Sequence, residues 1–366
     1  MHCSDAALYY LRLSLIRGIG PHIGRKLVAV ANGVERLWNE IDTWKNAEGI
    51  TERLFSAVQR SDGREAEQVA QRCAELGIQI VCPEDACYPP LLAQIEDAPL
   101  VLFVLGECET LKQQRMLSVV GARKAVKESR LLTRRWCRAL AQQGVCIVSG
   151  MAYGIDAAAH GGALDGEGLT IAVIGSGLAA KFTHEQQRQI DAICERGCVV
   201  SEFLPGAEAK PEHFPRRNRI IAGMSQATLV MEAAVKSGSL ITARQALEYG
   251  REVFAVPGSV LNGAHSGCHQ LVRDGAGLVE SAADILGMLG WKSAKAGCSS
   301  NKHYAPASPQ EEKIVAALRQ QVMHIDRLAE HTGLTLPELS PILLALELLG
   351  AVQRLPGSRY MLGDAG

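Results

Sequence analysis

The sequence predicts an α/β protein built on a parallel sheet with helices on both faces, preceded by an all-helical segment and followed by a winged helix. Three observations carry this reading. From residue 78 onward, short unbroken apolar runs alternate with amphipathic stretches, the pattern of strands buried on both faces. Hydrophobic residues make up 47% of the 366-residue chain and aromatics only 5%, which suits an Ala-, Val-, Leu- and Gly-rich sheet protein. The tail closes with helical stretches and then a short hairpin.

Taken in order, residues 1–75 form the expected helical domain. "AALYYLRLSLI" and "GRKLVAVA" place apolar residues at helical spacing, and "REAEQVAQRCAELG" ends on the capping glycine Gly77. Between the first two, "IRGIGPHIGRKL" (16–27) looks like a helix-hairpin-helix turn. Its free backbone N–H groups could hold a phosphate, with Arg25 and Lys26 assisting. A plain hairpin, in which Gly18 and Gly20 only make the turn, is the other reading.

The sheet domain is expected over 76–290. Its strands are "IQIVC", "LVLFVLG", "MLSVVGA", "VCIVSG", "LTIAVIGSG", "CVVSEF", "ATLVMEA" and "REVFAVPG", with helices at 126–143, 154–165, 185–197 and 239–249 among them. Parallel sheets bind ligands beyond the C-terminal ends of their strands. Several of these strands end in small residues, at Gly121, Ser149-Gly150 and Gly175-Ser176-Gly177. "WKSAKAGCSSNKHYAPA" (291–307) is small, polar and aperiodic, a linker. The final domain, 308–366, has three helical stretches and a hairpin turning at Pro356-Gly357-Ser358, the outline of a winged helix.

The totals, 38 Lys+Arg against 39 Asp+Glu, argue against a generally polybasic nucleic-acid binder but would hide a local basic patch. Eleven cysteines without a Cys-x-x-Cys pair read as free thiols in a reducing cytosol. No signal-peptide pattern and no apolar run of membrane-spanning length are visible. A cytoplasmic protein with no membrane partner is expected.

Such a patch stands at "HFPRRNRIIAG" (213–223). Pro215 suits a first helical turn, and Ile220, Ile221 and Met224 can face a core. Arg216 and Arg219, three apart, then share another face, and Phe214 could offer its ring to a base. Arginines for phosphates beside an aromatic for stacking suit single-stranded nucleic acid. An arginine–carboxylate network is the competing reading. It is disfavoured because the nearest acids, Glu208 and Glu212, are too few for three arginines and Lys210.

Other stretches carry weaker signals. "GARKAVKESRLLTRRWCR" (121–138) puts Arg123 in a strand-to-helix loop, where helix dipole and free N–H groups favour an anion. Gly121 opens that loop and Lys124 extends it. "KSGSLITARQALEYG" (236–250) gathers Ser237, Gly238, Ser239 and Thr242 at a helix start with Arg244 beyond, a phosphate cradle or an ordinary capped helix. In "SGMAYGIDAAAH" (149–160), Asp156 and His160 lie four apart. With no third ligand or nucleophile evident, a structural pair is preferred over an acid–base or metal site. "GSGLAA" (175–180), with Glu202 further on, fits a loose dinucleotide fingerprint, but on a middle strand.

The order of "GARKAVKESR", "VSGMAYGIDAAAH", "IAVIGSGL", "SEF", "HFPRRNRIIAGMS", "VMEAAVKSGSLITARQALEYGREVFAVPGS" and "SGCHQLVRDGAGLV" resembles the DNA-processing protein A family, DprA or Smf. The resemblance covers about 1–290 and continues into the tail, which is similar to the family's winged helix. It implies an N-terminal SAM-like domain and an extended Rossmann-like domain. It implies a homodimer that binds and protects incoming single-stranded DNA and loads RecA on it in natural transformation. It implies DNA contacts from Arg123 and from Phe214, Arg217, Asn218 and Arg219, with neighbouring basic residues such as Lys210. The chain departs from the family pattern at Ala122, where a serine is usual. It also carries Phe182-Thr183-His184 where the family has Tyr-Pro and a polar or basic residue, so that Lys181 and His184 stand in there.

The domain also resembles nucleotide phosphoribohydrolases, the alternative reading as an enzyme. Laying their Pro-Gly-Gly-x-Gly-Thr-x-x-Glu signature on 237–242 puts Gln245 at the glutamate, and an amide cannot serve as the base. A binding protein with no catalytic residue, metal or cofactor is therefore expected.

Overall fold

The computed structural model describes residues 3–45, 47, 50–291, 306 and 308–363. Contacts divide the chain into two compact units, Met1–Ser293 and Ala294–Gly366.

The first unit opens with α1 (Asp5–Leu15), α2 (Pro21–Val30), α3 (Val34–Asn39), α4 (Glu52–Gln59) and α5 (Arg64–Glu75). Local chemistry starts these helices. Ser4 accepts from Ala7 N at the head of α1, Thr51 from Leu54 N at the head of α4, and Pro21 opens α2. Between α1 and α2, Gly18 adopts φ +94°. Leu11, Leu27, Leu37, Trp44 and Val58 form one core with Ile78, Ile80, Phe103 and Val199, so the helices pack directly on the sheet.

The sheet comprises β1 (Gln79–Val81), β2 (Leu102–Gly106), β3 (Met116–Val120), β4 (Cys146–Ser149), β5 (Thr170–Val173), β6 (Cys198–Ser201), β7 (Ala227–Val230), β8 (Glu252–Ala255) and β9 (Gly277–Leu278). The accompanying helices are α6 (Pro90–Ala93), α7 (Lys127–Gln142), α8 (Ile155–Asp165), α9 (His184–Cys194), α10 (His213–Met224), α11 (Ser239–Glu248), α12 (Ser266–Arg273) and α13 (Ala282–Met288). Strand order is β1-β2-β6-β5-β4-β3-β7-β8-β9. From β6 to β9 every pairing is parallel, whereas β2 pairs antiparallel with both β1 and β6. The expectation of a parallel sheet is thus corrected at one edge. Every residue of β3 to β7 is buried, which explains their unbroken apolar sequences. β9 escaped the sequence reading because two residues carry no periodicity.

The second unit holds α14 (Pro309–Gln320), β10 (Met323–His324), α15 (Ile325–Thr332), α16 (Leu336–Leu348), β11 (Val352–Leu355) and β12 (Arg359–Leu362). Its antiparallel sheet runs β10-β12-β11 around a core that includes Ile314, Leu328, Leu339, Leu343, Leu346 and Tyr360. Gly357 and Ser358 take φ +77° and +52° in the hairpin turn, completing a winged helix. Apart from Trp291 and Pro306, the expected linker lies outside the described residues. Among the described residues, no helix is long and apolar enough to cross a membrane.

Candidate nucleic-acid interface

Strands β3 to β8 are parallel, so the loops that follow them share one edge of the sheet. From β3, the chain steps outward to β4, β5 and β6 on one side and to β7, β8 and β9 on the other. Loops leaving in opposite directions at such a reversal open a crevice. The loops after β5, β4, β3, β7 and β8 (174–183, 150–154, 121–126, 231–238 and 256–265) carry Lys181, Arg123, Lys124 and Lys236. Their one acid, Glu232, is 3% exposed, and its Oε2 accepts from Val126 N at 3.1 Å. Exposed acids at this edge follow β6, at Glu208 and Glu212, and β9, at Glu280, and Glu208 lines the cleft beside Lys181.

A cleft of about 360 Å³ opens at this edge, bounded by Arg123, Tyr153, Gly175, Lys181, Phe214 and Arg217. Its loops approach through glycines. A Cβ on Gly154, which has φ +84°, would lie 2.3 Å from Ala122 O and 2.6 Å from Arg123 O. A Cβ on Gly175 would lie 3.3 Å from the Phe214 ring, so the ring rests over that glycine. His213 holds the start of α10, its Nδ1 3.0 Å from Gly175 O and its ring stacked 4.0 Å from Phe203. The Arg123 guanidinium stands 5.0 Å from the Phe214 ring centroid, within cation–π range. The expected pair is therefore brought together from the loop after β3 and the first turn of α10.

The three arginines of α10 have different surroundings. Arg216 is half exposed, and its Nε donates to Glu202 Oε2 at 3.0 Å. Arg217 is 5% exposed, donates to Val173 O, and through Nε reaches Asn218 Oδ1 at 3.2 Å. Arg219 is buried, bonded to Glu202 Oε1 and Asp97 O, with its Nε 3.5 Å from Asp97 Oδ2. This corrects two expectations. Arg219 does not share an open face with Arg216, and an arginine–carboxylate network is present. Its acids come from the end of β6 and the segment before β2, not from Glu208 and Glu212. Glu202 is thereby committed to arginines, away from a ribose-binding role.

Asp156 and His160 lie beneath the cleft. The Asp156 carboxyl is close to the Arg217 guanidinium, since a Cβ on Gly150 would meet Asp156 Oδ2 at 2.5 Å and Arg217 Nη1 at 2.7 Å. Burial pushes Asp156 up to about 6, against the pull of Arg217, the Ala152 N–H and Arg123. Burial holds His160 down to about 4; its Nε2 donates to Gly150 O at 2.7 Å, and its Nδ1 sits 2.7 Å from Thr170 Oγ1. Both residues brace the loop after β4.

Their linkage to stability has opposite signs. Asp156 contributes stability that is full below the ordinary 3.8 and is lost as pH rises through about 6. His160 contributes stability that is full above the ordinary 6.5 and is lost as pH falls through about 4. The two offset each other across mildly acidic pH. Asp156→Asn should unmask the histidine, so that unfolding free energy falls by about 3 kcal/mol between neutral pH and the acid end of that window. His160→Gln should show the reverse slope. Denaturant melts across the window check this, and variants that track the native profile would refute it.

The remaining candidates are scattered. Lys124, Lys181, His184, Lys210 and Arg244 are exposed. Gly121 packs against Ile155, where a Cβ would meet Cγ1 at 2.5 Å. At the start of α11, Gly238 is open, but the Ser237 and Ser239 hydroxyls bond each other at 2.8 Å. Thr242 is 1% exposed, because Ser239, Thr242, Ala243 and Ala246 form the buried stripe of α11. The expected cradle is corrected on this point, as Thr242 faces the core. Arg25 is likewise occupied, donating to Ile95 O and Ala93 O at 2.8 Å each, while Lys26 is exposed. Gln245 keeps a buried Oε1 without a hydrogen-bond partner. Tyr153, 56% exposed at the cleft, was not singled out from the sequence. Its signal was an aromatic ring in a short glycine-flanked loop after a buried strand.

Fold and site together define a Rossmann-like protein with a cationic, aromatic-lined cleft at the strand ends and a winged helix appended. The chain belongs to the DNA recombination-mediator protein A family, DprA/Smf. The sequence model of that family matches residues 79–290, and that of the DprA winged helix domain matches residues 300–358. The chain is 32% identical to the protein Smf of Synechocystis sp. over 96% of its own length and 98% of the relative's. The X-ray structure of DNA processing protein A from Streptococcus pneumoniae is similar at a TM-score of 0.66 and 36% identity, over 78% of this chain and 98% of that one. The corresponding protein of Helicobacter pylori, described for its single-stranded DNA binding mode, has a TM-score of 0.52 and 27% identity, over 58% of this chain and 95% of that one.

Proposed function

We propose that the chain binds single-stranded DNA along this sheet edge, protecting incoming DNA and loading RecA on it during natural transformation in the cytosol. The observation that carries the reading is the edge itself. Five adjacent loops present Arg123, Lys124, Lys181 and Lys236 with only the buried Glu232 as an acid, and Phe214 and Tyr153 stand among them. Cations follow a phosphate backbone and rings stack its bases in any sequence. The Helicobacter pylori protein, described for a single-stranded DNA binding mode, supports single-stranded DNA as the ligand class. A homodimer that carries two such edges is part of the proposal.

Titration with single- and double-stranded oligonucleotides over a range of salt tests the reading. Tight, strongly salt-dependent and single-strand-selective binding is expected, and its absence would overturn the proposal. A parallel assay for base release from mononucleotides addresses the enzyme alternative, for which no turnover is expected.

The winged helix is assigned an accessory role. α16 carries Glu338 and Glu347 and no Lys or Arg, whereas helices that enter a groove need donors for bases and phosphates. Arg354 and Arg359 on the hairpin are its plausible phosphate contacts. Removing 300–366 should leave single-strand affinity within about threefold, less than one decade of binding constant. A hundredfold loss would contradict the assignment.

A further inference from the structure

Apolar side chains stand in solvent on the loops that follow β7 and β8. Val235 is 64% exposed, Val260 78% and Leu261 93%. Single exposed aliphatics are ordinary, but these belong to two braced loops. Gly267 N donates to Ala233 O at 2.7 Å, and a Cβ on Gly267 would lie 2.8 Å from both Ala233 O and Ala234 O. The β8 loop is also tied within itself. Leu261 N donates to Ser259 Oγ at 3.2 Å, Ala264 N to Asn262 Oδ1 at 3.1 Å, and Ser266 Oγ to Gly263 O at 2.7 Å. His269 Nε2 holds the base of the loop, 3.1 Å from Gly258 O. Local bonds thus fix a tip that points greasy side chains at water.

The surroundings indicate what covers it. The loops after β3, β7 and β8 carry Arg123, Lys124 and Lys236 and no exposed acid, which suits a polyanion better than a protein of mixed charge. β8 lies two strands from β3, about 10 Å along the same edge. A lone base would find better partners in Phe214 and Tyr153, because Val and Leu offer no ring to stack. Aliphatic side chains on a rigid tip are instead suited to press against base pairs and unstack them.

We propose that Val260 and Leu261 form a wedge for a single-strand–duplex junction. The single strand occupies the Arg123–Phe214 cleft, and the terminal base pair of the adjoining duplex packs on the tip, with Lys124 and Lys236 beside its phosphates. This rests on the single-strand reading above.

The test uses the full chain with three DNAs, namely an oligothymidine, a blunt duplex, and that duplex carrying the oligothymidine as a tail. 2-Aminopurine is placed in the base pair at the junction. The native protein should prefer the tailed duplex over the tail alone by about tenfold, the size expected when one or two aliphatic side chains leave water. The 2-aminopurine should brighten on binding. Val260→Ser with Leu261→Ser should keep tail affinity within about twofold, while losing both the preference and the brightening. Leu261→Trp, with a larger flat surface, should strengthen the preference. Tail binding without a junction preference in the native protein, or a preference kept by the double variant, would overturn the wedge. So would a double variant defective only in RecA loading, which would make the tip a protein contact. Failure of the single-strand reading is distinct, because the native protein would then not bind the oligothymidine at all.

Discussion

Arg219→Ala is expected to lower the melting temperature by roughly 5 °C, the shift that corresponds to a loss of about 3 kcal/mol in a unit of this size. Arg219 and Glu202 side chains are each 5% exposed and bonded to one another. Removing the guanidinium leaves a buried carboxylate with Arg216 Nε, at 3.0 Å, as its one cationic partner among the described residues, and releases Asp97, whose backbone and side chain it also engages. An uncompensated buried charge is costly. Arg216→Ala makes the contrast, since its side chain is 50% exposed and an exposed pair contributes up to about 1 kcal/mol. Glu202→Gln should destabilise in the same direction as Arg219→Ala. Because Arg219 is held away from solvent, the folded variant should keep the native salt dependence of DNA binding. Calorimetry on the three variants checks the energetic order, and an Arg219→Ala protein that melts like the native one would refute it.

The contrast between these arginines shows what the sequence could convey. Strands β3 to β7 were legible because a strand buried on both faces must be apolar throughout, and their parallel pairing followed from the intervening helices, whereas their order in the sheet was not legible. The winged-helix outline was legible for the same local reasons. Arg123 and Phe214 were legible one by one, as a cation near a helix start and a ring before a proline. Their juxtaposition was not, since it depends on Gly154 letting the loops after β3 and β4 touch and on Gly175 seating the ring of α10. Arg219 was misread because ion pairing is decided in space. Glu208 and Glu212 are nearer in sequence, yet Glu202 and Asp97 hold the guanidinium. Thr242 could have been placed correctly from the sequence alone, since it falls three residues after Ser239 on a stripe continued by Ala243 and Ala246.

Phe214→Ala and Arg123→Ala should separate stacking from charge within one cleft. If a base stacks on Phe214, truncating the ring weakens single-strand binding by about 1–3 kcal/mol while the slope of log affinity against log salt hardly changes, because no phosphate contact is lost. Arg123→Ala should weaken binding too, but the slope should flatten by about 0.7 for each phosphate it neutralises. The two effects should not add. The guanidinium lies 5.0 Å from the ring centroid, so each side chain positions the other, and neighbours in contact couple by about 0.5–3 kcal/mol. Phe214 also rests over Gly175, so thermal melts must show the truncated protein folded before its affinity is read. Arg123, exposed at the mouth of the loop, carries no such burden. Folded variants that both bind like the native protein would move the strand away from the ends of β3 and β5. A Phe214→Ala protein that loses salt dependence would mean that the ring serves only to aim Arg123.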